Sequence, residues 1–305
     1  MQSRFRSDRR LAVRMGLTMF LLGLLYVGFV AALIVLLRSW VLVVVVVGAM
    51  FVAQFWFSDK IAMFAMHGRV VEREEYPELH AVVDRLCAIA DMPKPVVAVS
   101  EMDMPNAFAT GRNPDHAVVC VTTGLLRRLE PAELEGVLAH ELSHVAHKDV
   151  AVITIASFLG VLAGLIVRFA LYSGLFGGRR DQNTAAVMAG VLAVSAAVYA
   201  ISFLLIRALS RYRELAADRA AAHLTGRPSA LASALTKVSG DIARIPTKDL
   251  RTAQAFNAFY FTPAKGKEPG LERLFSTHPT LEQRLDQLGR ISAELGEAAT
   301  PGKAG

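Results

Sequence analysis

From Met15 to Leu37 the chain is almost wholly apolar, and this run restricts the possible folds more than any other feature. At about 1.5 Å per residue, a helix of that length crosses a hydrocarbon layer of about 30 Å. Arg38 and Ser39 follow, and a second apolar run extends from Trp40 to Phe57. Trp40 and Trp56 lie near its ends, where amphipathic rings favour the membrane boundary. The first run is too long for a signal peptide and no small-residue cleavage site follows it, so the pair predicts a helical hairpin. A third run covers Val150 to Phe176 and a fourth Ala185 to Ile206, joined by the polar stretch GGRRDQNT. Arg168 inside the third run is costly at membrane depth unless it snorkels or faces a partner. These two runs predict a second hairpin. The other reading, two long buried helices of a soluble domain, is opposed by the length and purity of the fourth run.

Composition supports membrane insertion: 53% of the residues are hydrophobic. The net charge of +6 raises the question of nucleic acid. However, Arg4, Arg6, Arg9, Arg10 and Arg14 surround a single acid, Asp8, in a short arm, and nothing resembles a nucleic-acid module. The arm reads instead as an orientation signal. Four crossings then leave both termini and the segments 58–149 and 207–305 on the cytoplasmic side. Cys87 and Cys120 lack the paired spacing of a zinc knuckle and read as packing residues, although a disulfide between them is compatible with the sequence.

Outside the apolar runs the pattern is mixed. Tyr76 to Ala90 has helical periodicity, while Pro95 to Ser100, Ala117 to Thr122 and Asn106 to Thr110 read as strands. Pro131 opens a helix expected to reach residue 149, followed after the fourth run by helices over Arg211–Leu224, Ala230–Ile245 and Leu281–Leu295. Residues 246–270 read as an irregular loop.

The chemistry centres on His140-Glu141-Leu142-Ser143-His144, inside the helix that starts at Pro131. Positions i and i+4 share one helix face, so both imidazoles can reach one zinc ion. Glu141 lies beside the first ligand, where it can take a proton from an attacking water and pass it to the leaving amine. With eight histidines in the chain, this spacing arises by chance in about one such sequence in a hundred. His147 is too early for a third ligand of the metzincin type, and no glycine breaks the helix before it. The better candidate is Glu214 in RYRELAAD, because a glutamate from a second helix completes a His-His-Glu set with one position open. Asp218, one turn further on the same face, can accept a hydrogen bond from a ligand imidazole.

Taken together, HELSH, the apolar pair after it and RELAAD resemble the HtpX-type membrane zinc endopeptidases. This group belongs to the gluzincins, along with the CAAX prenyl proteases. The resemblance covers nearly the whole chain, including the early hairpin, Asn106-Ala-Phe-Ala-Thr-Gly111 and Thr277-His278-Pro279. It implies one Zn2+ per subunit held by His140, His144 and Glu214, with Glu141 as the base. It also implies an edge strand at Asn106 that pairs with the substrate backbone, a mode with its own physical basis in main-chain hydrogen bonding. His278 and Arg284 match residues that lie near the substrate or the oxyanion in relatives, where a cation or imidazole stabilises developing charge.

The expected fold class is mainly α with a small β-sheet: a multi-pass membrane protein with a cytoplasmic zincin-like metallopeptidase domain. The expected segments are a basic arm (1–14), hairpin one (15–57), the first peptidase part (58–149), hairpin two (150–206), the second peptidase part (207–297) and a disordered tail (298–305). The implied role is hydrolysis of unfolded or membrane-protein polypeptides in quality control under stress, at a bacterial-type cytoplasmic membrane. His144 and Glu214 lie about 9–12 Å from the apolar boundary if the intervening stretches are helical. Two other readings compete with this one: a non-catalytic membrane scaffold or chaperone-like binder, and a processing peptidase of the prenyl-protein type. The intact Glu141 opposes the first. The four spans, fewer than in prenyl-protein peptidases, oppose the second.

Overall fold

The computed structural model describes residues 9–37, 40–111, 113–172, 182–242 and 278–296. Most of the polar stretch between the third and fourth runs, the loop 246–270, the tail from 298 and the side chain of Arg168 lie outside the described residues. The architecture is mainly helical with one small mixed sheet.

The apolar runs form four helices: α1 (Arg9–Leu37), α2 (Trp40–Ala65), α6 (Asp149–Tyr172) and α7 (Gln182–Thr225). The first and last of these contain stretches long and apolar enough to cross a membrane, Val13–Val35 and Ala185–Thr225. The apolar stretches of α2 and α6 are shorter, Val44–Ala53 and Val152–Val167. Leu22 of α1, Ala156 of α6 and Leu209 of α7 meet in one buried cluster. A second joins Phe29 and Leu33 to Leu162, Ala163, Val191 and Val198. Tyr26 donates from its hydroxyl to the Ala156 carbonyl at 2.5 Å, linking α1 to α6. The outer face of α1 is left bare, with Phe20 67% and Val27 70% exposed. A bare apolar face of this extent suits lipid, not water, and distinguishes α1 from the core helix of a soluble protein.

Between the helical pairs lie β1 (Gly68–Val70), α3 (Pro77–Ala90), β2 (Val96–Ser100), β3 (Ala107–Thr110), β4 (Val118–Thr122), α4 (Thr123–Leu126) and α5 (Pro131–Ala146). The sheet order is β1-β2-β4-β3, with β2 and β4 parallel in the centre and antiparallel strands on both edges. β2 and β4 are nearly continuous apolar runs, as strands covered on both faces must be. Gly111 ends β3 at a φ of 125°, and a Cβ there would sit 2.3 Å from the His116 carbonyl oxygen, so only glycine fits. Cys87 and Cys120 are free and buried, and burial pushes their thiols up to about 11 and about 12.

After α7 come α8 (Pro228–Ile242) and α9 (Leu281–Glu294), which close the core around the sheet. α9 starts at a capping box in which Thr280 and Gln283 each accept from the other's backbone amide. α5 starts the same way. Glu133 accepts from the Glu130 amide at 2.8 Å, from Ser233 Oγ at 2.6 Å and from Lys237 Nζ at 2.8 Å. One carboxylate thus caps α5 and clamps it to α8. Burial works against its charge, but Lys237 and Ser233 hold the carboxyl below its ordinary value. Its contribution to stability is therefore complete above about pH 4.5 and is lost as pH falls further. Glu133→Ala is expected to cost about 2–3 kcal/mol, read as a drop of several degrees in the thermal melt at neutral pH.

Two expectations are corrected. The helix from Pro131 does not run on into the third apolar run. It ends at Ala146, Lys148 takes a left-handed φ of 55°, and α6 restarts at Asp149. Conversely, the fourth run and the helix expected at Arg211 are one helix of 44 residues. No glycine or proline lies between Val191 and Thr225, so Ser210 and Arg211 change polarity without breaking the backbone.

Candidate metal centre

Helix α5 carries His140 and His144 one turn apart, and α7 crosses it with Glu214. The two Nε2 atoms are 3.2 Å apart. Glu214 Oε2 lies 3.6 Å from His140 Nε2, and Oε1 lies 3.4 Å from His144 Nε2. The three residues can offer donor atoms all within 4.8 Å of one another. Each imidazole places its other nitrogen on a carboxylate. His140 Nδ1 is 2.9 Å from Asp218 Oδ1, and His144 Nδ1 is 2.6 Å from Asp149 Oδ2. A carboxylate only accepts, so each Nδ1–H is donated outward and each Nε2 is turned inward, where it offers a lone pair once its ring is neutral. Two imidazole nitrogens and a carboxylate converging on one point are held together by positive charge between them, carried by protons or by a metal ion. The donor set therefore fits a metal ion.

The carboxylates are themselves held by arginines. Arg284, from α9, grips Asp218 through both oxygens, at 2.7 and 2.6 Å. Arg213 lies 3.0 Å from Asp149 through Nε. Burial opposes the charge on Asp218, yet the Arg284 guanidinium and His140 keep its carboxyl below the usual range. Arg284, a substrate or oxyanion candidate from the sequence, is buried at 1% exposure against Asp218, with Nη1 3.7 Å from Glu214 Oε2. It reaches the centre through Asp218 and Glu214. His278, the other such candidate, places Nδ1 3.2 Å from Glu214 Oε2. His147 stays outside the donor set, with Nδ1 2.8 Å from the Ser143 carbonyl.

Glu141 is buried beside the donors, and its carboxylate accepts the backbone N–H of Ala109. The alternation of β3 explains this contact. The Thr122 amide bonds to the Asn106 carbonyl, so Phe108 and Thr110 turn their backbone groups to β4, and Ala107 and Ala109 turn theirs away from it, buried at Ala107 and part-exposed at Ala109. Asn106 is buried at the head of the strand, its backbone N–H donating to Thr122 Oγ1. Burial pushes the Glu141 carboxyl up, and His140, His144 and the Ala109 amide offset only part of this. A raised carboxyl moves toward the range in which a general base takes and releases protons near neutrality.

Asp149, Arg213 and the Ala109 amide are absent from the sequence reading. In a continuous helix a residue five positions on is turned by about 140°, which would point Asp149 away from His144. The left-handed turn at Lys148 is what brings it back. An acid opening an apolar run, five residues after the second histidine, was the available signal.

The profile described as peptidase family M48 matches residues 73–292. Protease HtpX homolog 1 of Streptomyces coelicolor is 86% identical over 304 residues, covering 100% of both chains. The protease HtpX homolog of Moorella thermoacetica is 52% identical over 298 residues, 97% of this chain and 99% of the relative. Among solved structures, the crystal structure of S. mikatae Ste24p aligns with a TM-score of 0.51 at 18% identity, over 92% of this chain and 67% of that one, a likeness of fold. The match runs from Arg73 to Ser292, through both halves of the donor set, and a chain matched over that span belongs to peptidase family M48 and is a protease.

Proposed function

We propose that the chain is a zinc-dependent endopeptidase held in a bacterial-type cytoplasmic membrane by two helical hairpins. Its metal centre faces the cytoplasm, and it cuts unfolded or damaged membrane proteins under stress. The observation that carries the reading is the position of Glu141, between the Ala109 backbone and three convergent donors. Zinc suits the set. Two imidazole nitrogens and one carboxylate oxygen are donors that zinc commonly takes, and the three residues offer one such atom each within 4.8 Å of one another.

When bound, the ion would acidify a water and polarise the scissile carbonyl. The remaining steps belong to the chain. An extended peptide lies along the part-exposed end of β3, with the Ala109 carbonyl offering a main-chain hydrogen bond. Pairing through the backbone selects for unfolded segments and says little about side chains. Glu141, held by Ala109, takes the proton of the attacking water and delivers it to the leaving nitrogen. His278 supplies an imidazole on the far side of Glu214, where charge develops on the carbonyl oxygen. The basic arm, which continues into the first turns of α1, favours a cytoplasmic N-terminus. The unbroken α7 carries Glu214 about 12 Å beyond Ile206, which supports a site close above a bilayer whose boundary lies at the end of the fourth apolar run.

The test uses the full chain in membranes with an unfolded segment presented twice, once soluble and once tethered to a transmembrane helix. Cleavage is expected to stop with a chelator, to return with zinc and to favour the tethered copy. Cleavage that survives chelation sinks the zinc reading, and equal rates on both copies sink the membrane-substrate reading.

A further inference from the structure

We propose that Asp149 and Arg213 are positioning residues that aim His144 at the metal and fix its distance from Glu214. This inference rests on the metal reading above and extends it to residues with no assigned role.

Asp149 Oδ2 takes the His144 Nδ1–H at 2.6 Å, and Asp149 Oδ1 faces Arg213 Nε at 3.0 Å. Asp149 is 4% exposed and Arg213 7%. A lone buried carboxylate is costly, so the guanidinium is what allows Asp149 to stay charged against the imidazole. Arg213 directly precedes Glu214 on α7, whereas Asp149 is the first residue of α6. The pair therefore closes the neck of the second hairpin at the point where one ligand leaves α5 and another arrives on α7. The same architecture recurs on the other histidine, where Asp218 holds His140 and Arg284 holds Asp218. Each ligand imidazole thus has a carboxylate behind it, and each carboxylate has an arginine behind it.

Such outer partners fix which ring nitrogen carries the proton and raise the basicity of the other, and their loss weakens metal binding by about 10–100-fold. The experiment measures zinc affinity of the purified full-length chain by competition with a fluorescent chelator, alongside the thermal melt of the metal-free form. Asp149→Asn and Arg213→Met are each expected to weaken zinc binding by about 10–100-fold. Arg213→Lys, which keeps the charge, restores most of the affinity. The double variant is expected to lose little more than Asp149→Asn alone, since the two residues act as one unit. Cobalt loaded in place of zinc should show a shifted visible spectrum in Asp149→Asn.

A lower melt with unchanged zinc affinity in Arg213→Met means the pair is only structural and overturns the proposal. Should Asp149→Asn fail to fold, Arg213→Met and Arg213→Lys decide. Wild-type protein that binds no zinc overturns the metal reading itself, whereas wild-type binding with unaffected variants overturns only this inference.

Discussion

Replacing Glu141 by glutamine is expected to lower peptide-bond cleavage by at least about 10³-fold while one metal ion per chain remains bound. Glutamine has the shape of glutamate, and its carbonyl oxygen can still accept the Ala109 amide that holds Glu141 in place. What it lacks is a group that takes a proton. The donors on His140, His144 and Glu214 are untouched, so a loss of turnover cannot be charged to a lost ion. Cleavage of an unfolded reporter, measured beside metal content on the same preparation, checks both halves. Activity within tenfold of wild type would falsify the assignment of Glu141 as the base and favour a binder that only holds unfolded chains.

The second large effect comes from a residue that touches neither metal nor substrate. Ala208→Pro sits in α7 just after the apolar run that ends at Ile206 and six residues before Glu214. It removes the amide that bonds one turn back and costs about 3 kcal/mol. It also kinks the helix by about 20° or more. Glu214 is six residues on, about 9 Å along the axis. A 20° kink therefore displaces its carboxylate by about 3 Å, while coordination tolerates only about 0.2 Å. The purified variant is expected to carry less than about 0.1 metal ion per chain, although the apolar span still inserts. Ala208→Ser should retain the metal. Elemental analysis with a membrane-extraction assay separates the two effects, and a full complement of metal in Ala208→Pro would show that Glu214 is positioned locally.

What the sequence revealed and concealed follows from the range of the interactions. His140, Glu141 and His144 are legible because helical periodicity alone places two imidazoles on one face. Glu214 and Asp218 are legible for the same reason, one turn apart on a second helix. β2 and β4 announce themselves as apolar runs. β1 is three residues long and carries no such pattern. Asp149 is hidden because its approach to His144 depends on a left-handed residue at Lys148, where no glycine marks the turn. Ala109 acts through its backbone, which no side-chain pattern records. The guanidinium of Arg284 reads equally well as a substrate contact or a support. Only the crossing of α9 over α7 decides that it grips Asp218.

That grip gives the molecule an order in time. The donors occupy positions 140, 144 and 214, but the cation that neutralises Asp218 arrives from position 284, and His278 comes with it. While a nascent chain is still short of α9, the cleft holds a buried carboxylate without its arginine and a glutamate without its neighbouring imidazole. Such a site is poorly set to hold metal. On the two-hairpin reading proposed above, both apolar pairs are synthesised before α9 and can enter the bilayer first. On that reading the protease completes its cutting centre only after anchoring, and its own unfolded segments pass through synthesis beside an enzyme that is not yet finished.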